Sequence, residues 1–184
     1  ENLAACKPEK FIELVKEKGQ LKLIFVSRIS PKKNLLYLLD ILNKIENKLE
    51  LHIYGPIEDE TYWLKCQTLI SRSFHSIIYK GIIKPHSLSR TIGNYHLFVL
   101  PTLNENFGHI ILETLNSSVP VLLSDQTPWL NLENQFAGKD LTLKSKNEWV
   151  KWLDKFYSMG NLDYQKWREG AWTMANKKLE QNEL

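Results

Sequence analysis

Four charged side chains stand where chemistry can be done. Arg28 and Lys33 share one short polar loop, Ser27 to Asn34, just after an apolar run. Glu105 and Glu113 lie on either side of what reads as a helix start, within Asn-Glu-Asn-Phe-Gly-His-Ile-Ile-Leu-Glu (104–113). A guanidinium grips a phosphate in bidentate fashion, while an ammonium acts as a point charge. Charged hydrogen bonds of this kind are worth about 1.5–3 kcal/mol each. Free amides at a helix start attract phosphate, and acceptor carboxylates there suit hydroxyl-rich groups. Helical side chains tilt toward the N-terminus, so Glu113 leans back toward the loop carrying Glu105. Phosphate plus sugar is the ligand chemistry expected.

Each feature also has a plain reading. The basic loop can be merely solvated, and Lys32 is expected to face water. Gly55 and Gly81 read as turn residues with positive φ; functionally, a missing side chain lets a flat base or sugar approach the backbone, with Ile82 and Ile83 as an apolar wall. Glu105 can be a surface carboxylate and Glu113 a residue balancing a helix dipole. His109 and Glu113 share a helix face, so His109 can orient that carboxylate or act directly. A glycosidase carboxylate pair fits poorly beside a two-cation loop. A nicotinamide-binding domain needs G-x-G-x-x-G after the first strand; here Ser-Arg-Ile-Ser-Pro-Lys-Lys holds no glycine.

The elements that must position these residues alternate along the chain. Strands are expected at 21–26, 49–54, 77–79, 97–100, 119–123 and, as a last edge strand, 141–143. Helices are expected from Asn34 (a cap) to about Leu42, from Asp59 to Phe74, from Pro85 to Ile92, and from Gly108 to Ser117. A short helix is expected at Trp129–Asn134, one opened by a Ser145–Glu148 capping box to about Met159, and a last one from Asn161 to about Leu179. Residues 1–20 read as a linker with a short helix, 8–18. Residues 21–160 are expected to form one Rossmann-like unit that binds a nucleotide sugar, and 161–184 a C-terminal helix. Short, almost wholly apolar strands between helices predict an α/β, doubly wound, mostly parallel Rossmann-like sheet with helices on both faces. Ligands bind beyond the carboxyl ends of such strands, which is where Arg28, Gly55, Gly81, 104–108 and Asp125 stand.

Composition narrows the classes. The 184 residues are 43% hydrophobic and 24% charged, with a net charge of +3. That charge is small and dispersed, and no basic cluster alternates with aromatics, which argues against nucleic acid. Cys6 and Cys66 read as reduced thiols in a cytosolic protein. The five histidines show no metal-ligand spacing, and no apolar run reaches the roughly 18 residues that span a bilayer. Trp149, Trp152, Trp167 and Trp172 fall at helical positions and read as packing. A chain that begins with Glu1 is expected to be part of a larger protein.

Arg28 to Lys33, followed by Asn34-Leu-Leu, resembles the R-x-x-x-x-K element of the group 1 (family four) glycosyltransferases. Pro101 through Pro120-Val121, with Glu105, Phe107-Gly108 and Glu113, resembles their E-x7-E region, and Ser124 to Trp129 a continuation of it. The resemblance covers roughly residues 20–180 and implies one half of a GT-B fold, the donor-binding C-terminal domain. It implies that Arg28 and Lys33 hold the donor diphosphate and stabilise the leaving group. It implies that Glu105 contacts the sugar, helped by amides around Phe107, Gly108 and His109 in a donor loop that includes Asn106, and that Glu113 takes the ribose. It implies retaining, metal-independent transfer from a nucleotide-diphosphate sugar to a glycan or lipid-linked acceptor in bacterial polysaccharide or glycolipid synthesis. An N-terminal GT-B domain would supply the acceptor site. The location would be cytoplasmic, at a membrane's inner face with peripheral association of the full protein. A sugar-nucleotide epimerase and a non-catalytic sugar-nucleotide-binding domain are the alternatives. Asn106 and Ser118 stand where the family usually has glycine: Asn106 is expected to keep the loop's shape through left-handed backbone, and Ser118 to carry no functional cost.

Overall fold

The computed structural model describes residues 10–182. Six strands, β1 (Lys22–Val26), β2 (Glu50–Tyr54), β3 (Ser76–Tyr79), β4 (Leu97–Leu100), β5 (Val121–Ser124) and β6 (Gly138–Leu141), form one sheet in the order β3-β2-β1-β4-β5-β6. Every pairing is parallel. The apolar runs explain this: β4 and β5 are buried at every residue, and so are Leu23, Ile24 and Phe25 of β1. A strand buried on both faces needs helices on both. Those are α1 (Leu35–Leu42), α2 (Glu60–Arg72), α3 (Leu88–Ile92), α4 (His109–Asn116), α5 (Lys146–Ser158) and α6 (Asn161–Asn182). They pack as two groups, α1 with α2 and α5, and α4 with α3 and α6, with the sheet between. The chain winds outward from β1 to β3, then restarts at β4 and winds the other way. The crevice above the carboxyl ends of β1 and β4 is therefore the switch point of the sheet.

Several local expectations need correction. No helix forms over residues 10–18; residues 1–9, with Cys6, lie outside the described residues. The backbone there is held by α6 instead. Arg168 donates from Nε and Nη2 to the Ile12 carbonyl at 3.0 and 2.8 Å, and Gln165 donates to the Leu14 carbonyl. Asn161 does not cap its own helix; it is the helix's first residue, and its Oδ1 accepts the Lys16 N–H at 3.1 Å. Lys16 is buried, its ammonium donating to the Met159 carbonyl at 2.8 Å past the end of α5, and burial pushes it down to about 8. Asn34 and Ser145 stand at N-cap positions, but neither side chain makes the cap bond. Asp59 does cap α2, accepting the Tyr62 N–H at 2.8 Å. The last edge strand is 138–141 rather than 141–143, and the short helix near 129–134 is a 3-10 turn at Leu132–Gln135. Pro85 starts a 3-10 turn that leads into α3. The tryptophans pack as expected, Trp149, Trp152 and Trp167 being buried.

Candidate functional site

The loop after β1 is built first by its backbone. Ile29 forms a parallel bridge to Ile57 beyond β2, its N–H donating to the Pro56 carbonyl at 2.8 Å while its own carbonyl accepts the Glu58 N–H at 3.1 Å. Pro31 then opens a 3-10 turn, Pro31–Lys33, ended by left-handed Asn34 (φ 60°). Lys32 is exposed, as expected, but its carbonyl accepts the Leu103 N–H at 2.8 Å and lies 3.2 Å from the hydroxyl of buried Thr102. The Ser124 hydroxyl donates to the Thr102 carbonyl, and the Glu105 N–H to the Gln126 carbonyl at 3.0 Å. Three strand-end loops are thus stitched into one platform.

On that platform the charges pair. Lys33 Nζ meets Glu105 Oε2 at 2.6 Å, with the two side chains only 9% and 18% exposed. Glu105 Oε1 also accepts the Asn106 N–H at 3.1 Å, and the Gly108 N–H bonds the same carboxylate at the start of α4. Desolvation pushes the Glu105 carboxyl up, but the Lys33 ammonium and the two amides outweigh it and hold it below the usual value. Arg28 Nη1 meets Glu58 Oε1 at 2.5 Å in the open, with side chains 57% and 45% exposed.

Gly55 carries backbone at φ 135°, and a Cβ there would lie 1.9 Å from the Ser27 carbonyl oxygen. The close approach this glycine permits is to the backbone at the end of the neighbouring strand, β1. Its N–H donates to the Gly81 carbonyl at 2.8 Å, and its carbonyl accepts the Tyr79 hydroxyl at 2.8 Å. A cavity of about 360 Å³ sits above, lined by Val26, Ser27, Arg28, Lys33, Gly55, Pro56, Ile82, Ile83, Leu88, Glu105, His109 and Ile110. Seven of the residues singled out in the sequence therefore converge: Arg28, Lys33, Gly55, Ile82, Ile83, Glu105 and His109.

Gly81, Asn106, Phe107, Gly108 and Glu113 are not in that lining. Gly81 is a left-handed turn (φ 77°). Gly108 is the left-handed, buried N-cap of α4 (φ 68°). The Phe107 carbonyl accepts the Trp129 indole N–H at 3.1 Å, and its exposed ring lies parallel to that of His109, centroids 5.8 Å apart. Glu113 is half-buried one turn along α4 from His109. Asn106 does not take the left-handed backbone expected of it. Ser118 does, at φ 59°, and its Oγ accepts the Ile12 N–H at 3.2 Å. Glu58, Thr102, Pro56 and Leu88 were not foreseen. Glu58 had a signal, an acid just past the Gly55-Pro56 strand end; Thr102 had none.

Among the described residues no three His, Cys, Asp or Glu side chains cluster as metal ligands, and no helix is long and apolar enough to cross a membrane. The arrangement offers two cations, a helix start and an oriented carboxylate around one cavity. That set can hold a diphosphate beside a polyhydroxyl group.

Comparison with solved structures finds the same fold. Anabaena HepE, in complex with UDP-glucose, superposes with a TM-score of 0.76 at 17% identity, covering 87% of this chain and 45% of that one. A glycosyltransferase from Rickettsia africae gives 0.75 at 18% identity, covering 88% and 46%. A mutant of S. aureus TarM, in complex with fondaparinux, alpha-GlcNAc-glycerol and UDP, gives 0.70 at 17% identity, covering 91% and 35%. The chain thus spans less than half the length of each of these three. No curated protein matches the sequence. The family model described as glycosyl transferases group 1 matches residues 7–169. The chain belongs to the group 1 glycosyltransferases.

Proposed function

We propose that this chain is the donor-binding domain of a retaining glycosyltransferase that moves a sugar from a nucleotide-diphosphate sugar to a glycan or glycolipid acceptor. The observation that carries the reading is the convergence of Arg28, Lys33, Glu105 and His109 on one cavity at the switch point of the sheet. Arg28 and Lys33 take the diphosphate and neutralise the charge that develops on it as the sugar leaves, work that a metal does in other transferases. Glu105, anchored by the amides of Asn106 and Gly108, presents its carboxylate to the sugar hydroxyls. Glu113 is assigned to the ribose, and Ile82 and Ile83 to the base. The amides around Phe107 and His109 complete the sugar side.

UDP is the first nucleotide to test, because HepE and TarM were solved with UDP or a UDP-sugar. Calorimetric titration with UDP, GDP and ADP, alone and as sugar conjugates, checks the reading. One of them binds, and Arg28→Ala, removing about 2–3 kcal/mol of charged hydrogen bonding, weakens it by about 30- to 150-fold. If none binds, or Arg28→Ala binds equally well, the assignment fails.

A further inference from the structure

Both cations of the proposed diphosphate clamp are already bonded to carboxylates of the chain. Lys33 holds Glu105, which the resemblance places in the sugar site. Arg28 holds Glu58, 30 residues away, which no motif assigns. The backbone brings the two residues of this second pairing close together. Ile29 and Ile57 are locked side by side by their bridge, with hydrogen bonds from Ile29 N–H to Pro56 and from Glu58 N–H to Ile29. On the far side Asp59 is pinned as the cap of α2. Arg28 precedes that bridge and Glu58 follows it, which brings the two side chains within reach of each other at the rim. Arg28 lines the cavity and Glu58 does not.

Given the donor-binding reading above, we infer that Glu58 is a positioning residue that competes with the donor diphosphate for Arg28. Its carboxylate holds one guanidinium nitrogen and leaves the others to turn toward the cavity. An incoming diphosphate must share or displace that carboxylate, so Glu58 weakens nucleotide binding and speeds nucleotide release. The pair is exposed, so the effect is of the size of a surface ion pair and is screened by salt.

Calorimetric titration with UDP of the wild type, Glu58→Gln, Arg28→Ala and the double variant tests this. Gln keeps the shape and an acceptor while removing the charge. Glu58→Gln binds UDP about fivefold more tightly at low salt, with slower UDP release in stopped flow. The gain shrinks at about 0.5 M salt and falls below about twofold when Arg28 is Ala. Wild-type binding with no gain in Glu58→Gln overturns this inference alone. So does a gain that persists undiminished without Arg28, since Glu58 then acts as a general repulsive charge. No binding by any variant overturns the donor reading and this inference together.

Discussion

Lys33 and Glu105 have little water to fall back on, whereas Arg28 and Glu58 have a great deal. The two ion pairs are similar in length, 2.6 and 2.5 Å, yet they do different work. An exposed pair contributes about 0–1 kcal/mol to stability, so Arg28–Glu58 shapes ligand binding without holding the fold. Removing one partner from the covered pair leaves the other short of a counter-charge. Glu105→Gln is therefore expected to cost about 2 kcal/mol at pH 7, measured by urea denaturation. The sign of its pH dependence follows from the lowered Glu105 carboxyl. A depressed carboxyl adds stability above its ordinary titration range and loses it as pH falls through the folded value. The gap between wild type and Glu105→Gln should narrow as the pH falls below the ordinary carboxylate range; a gap as wide in acid as at pH 7 would mean the carboxylate charge is not what stabilises the loop.

Between neighbouring elements, backbone proximity decides what the residues mean. Gly55 was readable as a turn or as a ligand approach, and it is neither alone: its Cα lies against the Ser27 backbone where β1 and β2 end. Gly138 does the same beside Val121, where a Cβ would be 1.8 Å from a carbonyl oxygen. That contact places the edge strand on Gly-Lys-Asp-Leu, a sequence with too little apolar character to be read as a strand. Cap residues were misread for a related reason, since type alone marks Asn34, Ser145 and Asn161 as caps while Asn161 is claimed by Lys16. Ser118 shows two effects in one residue: a left-handed backbone, which favours glycine, and a hydroxyl bond to Ile12. Ser118→Ala keeps the strain and loses the bond, and Ser118→Gly loses the bond but relieves the strain. Chemical denaturation should find Ser118→Gly more stable than Ser118→Ala by about 1 kcal/mol. The reverse order would show that the left-handed conformation carries no cost here.

The molecule as a whole is held closed at the end of the sheet opposite the cavity, where buried polar groups join 10–20, α6 and the start of β4. Arg168 is fully buried and donates to the carbonyls of Ile12 and Gly93 and to the Tyr164 hydroxyl oxygen, while the Tyr164 O–H donates to the His96 carbonyl. His96, its Nδ1 accepting the Lys22 N–H, is pushed down to about 4 by desolvation, with the Lys16, Arg168 and Lys22 charges adding to it. Burial lowers His52 and His75 as well. A histidine that resists protonation only when folded gives stability that is present above about pH 6.5 and is lost as pH falls toward 4. His96 alone accounts for about 3 kcal/mol over that window. Denaturation at pH 7, 6, 5 and 4 should follow that loss, and His96→Asn, which keeps an acceptor for Lys22, should flatten it; an unchanged slope would exclude His96 as the source. The chain spans less than half the length of HepE, the Rickettsia enzyme and TarM, and the donor-binding proposal made above leaves the acceptor side of the cleft outside it. Incubating this chain alone with UDP-sugars and candidate acceptors should give binding without sugar transfer, and measurable transfer would refute that division.

The alternation of strands and helices, the parallel sheet and the placing of Arg28, Lys33 and Glu105 in strand-end loops were legible in the sequence, because apolar runs and helical spacing are local properties. The partners of those charges were not. Lys33 finds Glu105 across 72 residues and Arg28 finds Glu58 across 30. Coulomb attraction and hydrogen bonding act over a few ångströms of space, so only the folded loops could settle which anion each cation meets.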